Sequence, residues 1–281
     1  MALNRRRAWR EVLETWLFSF VCLLALAAGY AVVCMIAARF KLLPFVLIAT
    51  AFASISGLFF SIFSEKLLAR TSGFTPATEQ THPRFYRAVN EVCSKLRMRP
   101  PRLYIMPIKQ PNACAFGLRL FGRAGVAVSQ PLLGILSDLA LRGVIAHEIG
   151  HLRSFDSGAM SLLSLARGGA KLCSKLIWLR FLGRGKWRVF FPLIIFSGVL
   201  WLLGHVVLAI ITSAFVHLRE RRADLLSALY LDSTAPLGEG LSRIAEVVDT
   251  PTTESVSIVS DLFIGYPGMR KRIRLLSELE E

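Results

Sequence analysis

Residues 144–151 read VIAHEIGH and contain the pattern H-E-x-x-H. Side chains four residues apart lie on the same face of an α-helix, so His147 and His151 can hold one zinc ion. Glu148 then faces the fourth position around the metal, where it can accept a proton from a water molecule. The pattern therefore predicts a helix that carries two metal ligands and a general base.

The residues around this motif also favour a helix. Ser137 or Asp138 can cap its beginning through a side-chain oxygen. Apolar residues that continue the helical spacing are Leu139, Val144, Ile145, Ile149 and Leu152. We therefore expect the helix to begin near Ser137 or Asp138 and to include the whole motif.

A catalytic zinc site needs a third protein ligand and an open fourth position. Residues 220–224 read ERRAD, and Glu220 and Asp224 are spaced to share one helical face. Glu220 is the candidate ligand, while Asp224 can accept a hydrogen bond from a ligating histidine and fix its tautomer. Two alternatives remain at this point: the acidic residues form surface ion pairs with the arginines, or His217 is the third ligand.

The composition indicates a membrane protein that binds lipid. Hydrophobic residues make up 54% of the 281 residues, the mean hydropathy is +0.52, and the formal net charge is +15. Much of the positive charge flanks apolar segments, which is typical of contacts with anionic headgroups and not of a nucleic-acid groove. We therefore expect membrane lipids as partners and no nucleic acid. The arginines before the first apolar segment are Arg5, Arg6, Arg7 and Arg10.

Three long apolar segments are candidates to cross the bilayer. Residues 16–37 and 43–63 carry no charge, and each has the length that a crossing requires. We expect them to form a retained hairpin, although the first also resembles a cleavable signal peptide. Residues 189–216 form the third, interrupted by His205. Intramembrane ionisable residues are functional candidates, but a hydrogen-bonded histidine is the simpler interpretation of His205.

The positions of the ligands limit the topology. All of them must meet on one side of the membrane, so the chain between His151 and Glu220 must cross an even number of times. Residues 158–182 supply the only second candidate there, although Arg167, Lys171 and Lys175 make their insertion costly. We expect four crossings, with the N-terminal arginines and the catalytic segment on the cytoplasmic side. The alternative places both segments on or partly in the membrane surface.

Taken with the apolar segments between them, H-E-x-x-H and E-x-x-A-D resemble the M48 family, the HtpX-type membrane proteases that are related to the Ste24 CAAX endopeptidases. Residues 112–117, NACAFG, are similar to the N-A-F-A-x-G strand of that family. Residues 126–129 leading into Leu132 and Leu133 are similar to its strand and helix before the catalytic helix. Near the end, Leu262-Phe263, Tyr266-Pro267 and Arg272-Ile273 resemble its L-F, H-P-P and R-I segments.

The resemblance implies a zincin-like catalytic core on the cytoplasmic face of a bacterial-type inner membrane. It implies one zinc ion per chain, bound by His147, His151 and Glu220, with Glu148 as the base and Asp224 bonded to a ligand. The sequence departs from the family at two positions. Tyr266 stands where the family usually has histidine, and Arg222 replaces the histidine that often precedes A-D.

The segment at residues 112–117 is also a candidate substrate-binding strand. Zincins commonly hold an extended peptide against an exposed sheet edge, where main-chain hydrogen bonds accept many sequences. The alternative is an ordinary buried strand. The residues concerned are Asn112, Ala113, Cys114, Ala115, Phe116 and Gly117.

These observations predict an α+β integral membrane protein, in which transmembrane helices join a mostly helical zincin-like domain with a small β-sheet. Residues 1–63 are expected to form the N-terminal hairpin and residues 157–216 two further membrane helices. Residues 64–156 and 217–281 are expected to form the two parts of the catalytic domain. Short β-like runs at residues 103–106 and 126–129 indicate the sheet.

The expected function is that of a zinc-dependent membrane endopeptidase that cleaves membrane or misfolded polypeptides in protein quality control. The alternative is a non-catalytic, zinc-containing membrane scaffold or chaperone-associated protein. Site-2-type intramembrane proteases also use H-E-x-x-H, but within a hydrophobic span. In this chain charged residues flank the motif, which disfavours that class: Asp138, Arg142, Arg153 and Asp156.

Overall fold

A computed structural model describes residues 4–39, 71–118, 123–154, 156, 216–248 and 269–279, together with single positions between 44 and 70. Most of the predicted segment 43–63, residues 158–182 and all but the last residue of 189–216 lie outside the described residues, as do His205 and Tyr266. Within the described part of the chain, no helix combines the length and apolar character needed for a membrane crossing. The four crossings therefore stay a prediction.

Seven helices make up most of the described structure. They are α1 (Arg5–Arg39), α2 (Pro83–Lys95), α3 (Gln130–Ile135), α4 (Asp138–Arg153), α5 (216–231), α6 (Ala235–Val248) and α7 (Met269–Ser277). The described positions between 44 and 71 are also helical. The H-E-x-x-H motif lies in α4, and the E-x-x-A-D motif lies in α5.

Four strands form one small sheet in the order β1-β2-β4-β3. They are β1 (Thr75–Pro76), β2 (Arg102–Met106), β3 (Ala113–Leu118) and β4 (Arg123–Ser129). Strand β4 is parallel to β2 and antiparallel to β3, with Cys114 paired to Ala127. The two β-like runs lie inside β2 and β4, while the segment expected at residues 112–117 forms a strand shifted by one residue.

The two faces of the sheet are covered by different parts of the chain. Because strand side chains alternate between faces, Val126 and Val128 belong to the large helical core, and Ala127 belongs to a smaller cluster on the other face. The smaller cluster includes Phe116 and Ala69. A mostly helical fold with a small sheet is thus confirmed.

Of the two cap candidates in the sequence, Ser137 is the residue that caps α4. The Ser137 side chain accepts a hydrogen bond from the backbone N–H of Ala140, at 3.1 Å, and so satisfies an otherwise free donor of the first turn. Asp138 follows in the first turn, where a negative charge is favoured, and pairs with Arg84 of α2. From Ala140 to Leu152 nearly every residue is buried, so α4 is the central helix of the core.

The first turns of α1 are part of this core. Ala8 and Val12 are buried in the large cluster. An ion pair joins Arg5 to Asp232, directly after α5, and another joins Glu11 to Arg221 of α5 at 2.9 Å. The N-terminal part of α1 therefore lies along the helix that carries the E-x-x-A-D motif.

Candidate active site

His147, His151 and Glu220 meet in the centre of the helical core. The two Nε2 atoms lie 3.2 Å apart, and a different Glu220 oxygen lies 3.4 Å from each of them. All three side chains are nearly inaccessible to solvent. The structure thus brings together the two histidines of α4 and the acidic residue of α5 that the sequence singles out.

The spacing of these donor atoms fits a tetrahedral zinc ion. With zinc–ligand bonds of roughly 2.0–2.2 Å, neighbouring ligand atoms of a tetrahedral site lie about 3.3 Å apart. The 3.2 Å between the two Nε2 atoms agrees with that value, and the Glu220 carboxylate faces both nitrogens, with one oxygen 3.4 Å from each. Glu220 Oε2 is buried, and the described groups nearest to it are His147 Nε2 at 3.4 Å and Arg272 Nη1 at 3.8 Å, so this carboxylate oxygen is open to a cation placed between it and the histidine.

Asp224 supports the first histidine. Its Oδ1 lies 2.9 Å from His147 Nδ1, so the ring can donate a hydrogen bond there and keep Nε2 for a metal. Arg272 of α7 donates to both Asp224 oxygens, with Nε at 2.8 Å from Oδ2. Arg272 was noted in the sequence only as part of the R-I segment.

Asp156 supports the second histidine in the same way. Its Oδ2 lies 3.0 Å from His151 Nδ1, and Arg222 of α5 donates to its other oxygen. Sequence reasoning used Asp156 only as a flanking charge and Arg222 only as a departure from the family. The spacing of Asp156, five residues after His151 and beyond the end of α4, gave no signal of this contact.

The charges in the site shift its pKa values strongly. Burial lowers the pKa of His147, but hydrogen bonds with Asp224 and Glu220 outweigh it and raise the pKa from 6.5 to about 9. Burial raises the pKa of Glu220, and the nearby His151 and His147 outweigh that effect and lower it well below its usual range. The Glu220 carboxylate is therefore ionised at neutral pH, as a metal ligand must be.

Close packing of α4 against α5 positions Glu220. Gly150 faces Ala223 so closely that a Cβ at Gly150 would lie 3.4 Å from the Ala223 backbone. Ser227, one turn after Ala223, donates to the Gly143 carbonyl at 3.0 Å. These contacts hold α5 close against α4, so the Glu220 side chain reaches both imidazoles.

Glu148 lies on the side of α4 that faces β3. Burial raises the pKa of the Cys114 thiol, and the negative charge of Glu148 adds to that effect. Strand β3 is an edge strand and packs against α4. The candidate base therefore lies near Cys114, in the strand that the sequence predicts to hold substrate. His217, the competing ligand, is exposed at the start of α5 and does not join the cluster of metal-binding side chains.

Comparison with known proteins places these features in a family. The sequence matches the model of peptidase family M48 over residues 77–280. It is 31% identical over 256 residues to a "Protease HtpX homolog" of Acidiphilium cryptum (strain JF-5), covering 83% of this chain and 87% of that protein. It is 29% identical over 286 residues to a homologue of the same name from Ralstonia nicotianae, covering 95% and 97%.

The fold comparison agrees with the sequence comparison. The chain is similar to the crystal structure of S. mikatae Ste24p with a TM-score of 0.56 and 18% sequence identity, covering 94% of this chain and 67% of that one. At this identity the likeness concerns the fold alone. The motifs in α4 and α5, the resemblance that they carry and the family match over most of the chain agree, and the chain belongs to peptidase family M48.

Proposed function

We propose that this peptidase is a zinc-dependent endopeptidase whose metal is held by His147, His151 and Glu220. The observation that carries the proposal is the meeting of three buried side chains, in which the two Nε2 atoms lie 3.2 Å apart and each lies 3.4 Å from one oxygen of Glu220. The burial and ionisation of the Glu220 carboxylate add to it.

The roles of the other residues follow from their positions. When bound, zinc acidifies a water molecule and polarises the carbonyl of the scissile bond. Glu148 accepts the proton of the attacking water and passes it to the departing amine. Asp224 and Asp156 keep the two imidazoles in the tautomer that presents Nε2 to the metal.

A peptide substrate fits beside β3. The outer edge of this strand has no partner strand among the described residues, so its main-chain groups can pair with an extended peptide. Pairing there would bring the peptide past the Glu148 side of α4. We propose that residues 113–118, with Asn112 before them, bind substrate through their backbone and therefore accept many sequences.

The cellular setting remains a proposal based on composition. The apolar segments and the flanking arginines support an integral membrane protein of the bacterial inner membrane, with the site on the cytoplasmic side. Membrane or misfolded polypeptides are the substrates we propose, and protein quality control is the proposed role. The division into an N-terminal hairpin, two membrane helices and a catalytic domain in two parts belongs to the same proposal.

The variant Glu148→Gln tests the mechanism. It keeps the size of the side chain but removes the proton acceptor, so we expect normal zinc content with casein cleavage slowed by about 100-fold or more. Zinc would be measured by atomic spectrometry on the purified full chain. Glu246→Gln, which removes an exposed carboxylate of α6, serves as the control and should cleave at the wild-type rate.

Two outcomes would contradict the proposal. A Glu148→Gln variant that cleaves as fast as the wild type would exclude the proposed base. A wild type that binds one zinc ion but cleaves no polypeptide would instead favour the alternative function, a zinc-containing membrane scaffold.

A further inference from the structure

Arg222 is an unusual member of the core because its large, charged side chain is buried. Only 1% of its surface is exposed. One terminal nitrogen, Nη2, donates to Asp156 Oδ1. The guanidinium carbon lies 4.2 Å from the centre of the Trp16 ring, so the planar group lies over the indole of α1.

The position of Arg222 depends on these two contacts. Its Nε and Nη1 atoms have no hydrogen-bond partner among the described residues. A buried guanidinium with two unsatisfied nitrogens is costly, and the Asp156 carboxylate and the negative face of the indole are the features that offset this cost. Loss of either contact would therefore free Arg222 to move.

Asp156 connects Arg222 to the metal site. One of its oxygens receives the Arg222 hydrogen bond, and the other lies 3.0 Å from His151 Nδ1. A continuous series of contacts thus runs from Trp16 in α1 through Arg222 in α5 and Asp156 to His151. Each member except Trp16 is nearly fully buried.

The arginine that supports His147 makes different contacts from the one that supports His151. Arg272 donates two hydrogen bonds to Asp224, one to each oxygen, which fixes this pair. Arg222 donates one hydrogen bond to Asp156 and has Trp16 on its face. The support of His151 thus includes a contact with α1.

We propose that Asp156 is a positioning residue for His151. Trp16 of α1 holds Arg222 against Asp156 and thereby slows the release of zinc from this histidine. This inference rests on the proposed zinc site. It makes α1 a contributor to metal retention, beyond any role as a membrane anchor.

Zinc release from the purified full chain tests the inference. After loading with one Zn²⁺, the release rate to a chromogenic chelator in excess would be measured, together with the visible spectrum of the Co²⁺-substituted protein. We expect Asp156→Asn to release zinc about tenfold faster or more. Trp16→Leu should release it roughly fivefold faster, with a changed Co²⁺ spectrum.

Trp16→Phe and Leu17→Ala are the matched controls. Phenylalanine keeps an aromatic face for the guanidinium, so release should stay within about twofold of the wild type. Leu17 is the exposed neighbour of Trp16, and its truncation should leave release unchanged. Leucine and phenylalanine are both smaller than tryptophan. A general loss of packing would therefore speed zinc release in both variants alike, whereas the inference requires their release rates to differ.

A double variant checks the route of the coupling. If Trp16 acts through Asp156, adding Trp16→Leu to Asp156→Asn should not speed zinc release further. Equal release from Trp16→Leu and Trp16→Phe, or additive effects in the double variant, would overturn the inference while leaving the zinc site itself intact. A wild type that binds no zinc would overturn the proposed function as well.

Discussion

Both histidines of the proposed zinc site contact a buried carboxylate that is itself held by an arginine. Asp224 with Arg272 supports His147, and Asp156 with Arg222 supports His151. Each carboxylate can accept a hydrogen bond from Nδ1–H, which leaves the two Nε2 atoms directed at the same point. The orientation of the imidazoles is thus fixed before a metal arrives, which lowers the cost of binding it.

Asp224→Asn tests this arrangement at the first histidine. The amide removes the negative charge that orients His147 and leaves Arg272 without its main partner. We expect zinc affinity to fall by about 10- to 100-fold, measured by competition with a chelator of known affinity. Asp138→Asn, at the exposed start of the same motif helix, should bind zinc as the wild type does. Unchanged affinity in Asp224→Asn would show that its hydrogen bond does not tune the ligand.

Cys93 gives a second prediction for a single residue. Its side chain is buried in α2, and burial raises the pKa of the thiol from 9.0 to about 11. Since the thiolate is the reactive form, we expect negligible iodoacetamide labelling of Cys93 at pH 8 in the folded protein and ready labelling in denaturant. Peptide mass spectrometry separates it from the other cysteines. Rapid labelling of the folded protein would mean that α2 opens.

At the level of elements, glycines allow α4 to lie against its neighbours. A Cβ at Gly143 would come within 2.3 Å of the Pro236 backbone, at the start of α6. One at Gly240 of α6 would meet Val144 at 2.9 Å. At Gly143 the contact of α4 with α6 is therefore made by backbone on backbone.

Replacing two of these glycines should have opposite effects. Gly143→Ala forces α6 away from α4, so we expect a loss of about 1–3 kcal/mol in the free energy of unfolding. Gly238→Ala adds its methyl group where nothing lies within 4 Å, and alanine in a helix interior should gain roughly 0.5–1 kcal/mol. Thermal denaturation of both variants measures the difference. A Gly143→Ala variant as stable as Gly238→Ala would contradict the close packing of Gly143 against the Pro236 backbone.

The elements that the sequence predicts well are those with local signals. Ser137 caps α4 by accepting a hydrogen bond from the backbone of Ala140, only three residues later. The alternation in residues 126–129 reflects the two faces of one strand. The E-x-x-A-D spacing likewise places Glu220 and Asp224 on one face of α5. Asp156 and Arg222 were missed because their pairing joins residues 66 positions apart, and no local pattern reports such a contact.

On the scale of the whole molecule, the site is assembled from distant parts of the chain. Helix α4 supplies two donors and α5 the third, while Arg272 comes from α7 and Trp16 from α1. A metal ion bound by α4 and α5 therefore fastens two segments that are separated by about seventy residues of chain. Binding to the folded state alone must stabilise that state.

Metal removal should consequently lower the melting temperature. At a free zinc concentration 100 times its dissociation constant, binding adds about 2.7 kcal/mol, which corresponds to roughly 5 °C or more for a chain of this length. The measurement compares zinc-loaded and EDTA-treated wild type with Glu220→Gln, in which the difference should shrink. Equal melting temperatures of the loaded and stripped wild type would show that no ion joins these helices.

The charges buried around the histidines favour a cation at the centre. Among the described residues, four carboxylates and two guanidinium groups are buried there: Glu148, Asp156, Glu220 and Asp224 against Arg222 and Arg272. A third guanidinium, that of the partly exposed Arg219, lies 3.1 Å from Glu220 Oε1. Carboxylates therefore outnumber the guanidinium groups, and a bound cation reduces the cost of keeping this negative charge away from water.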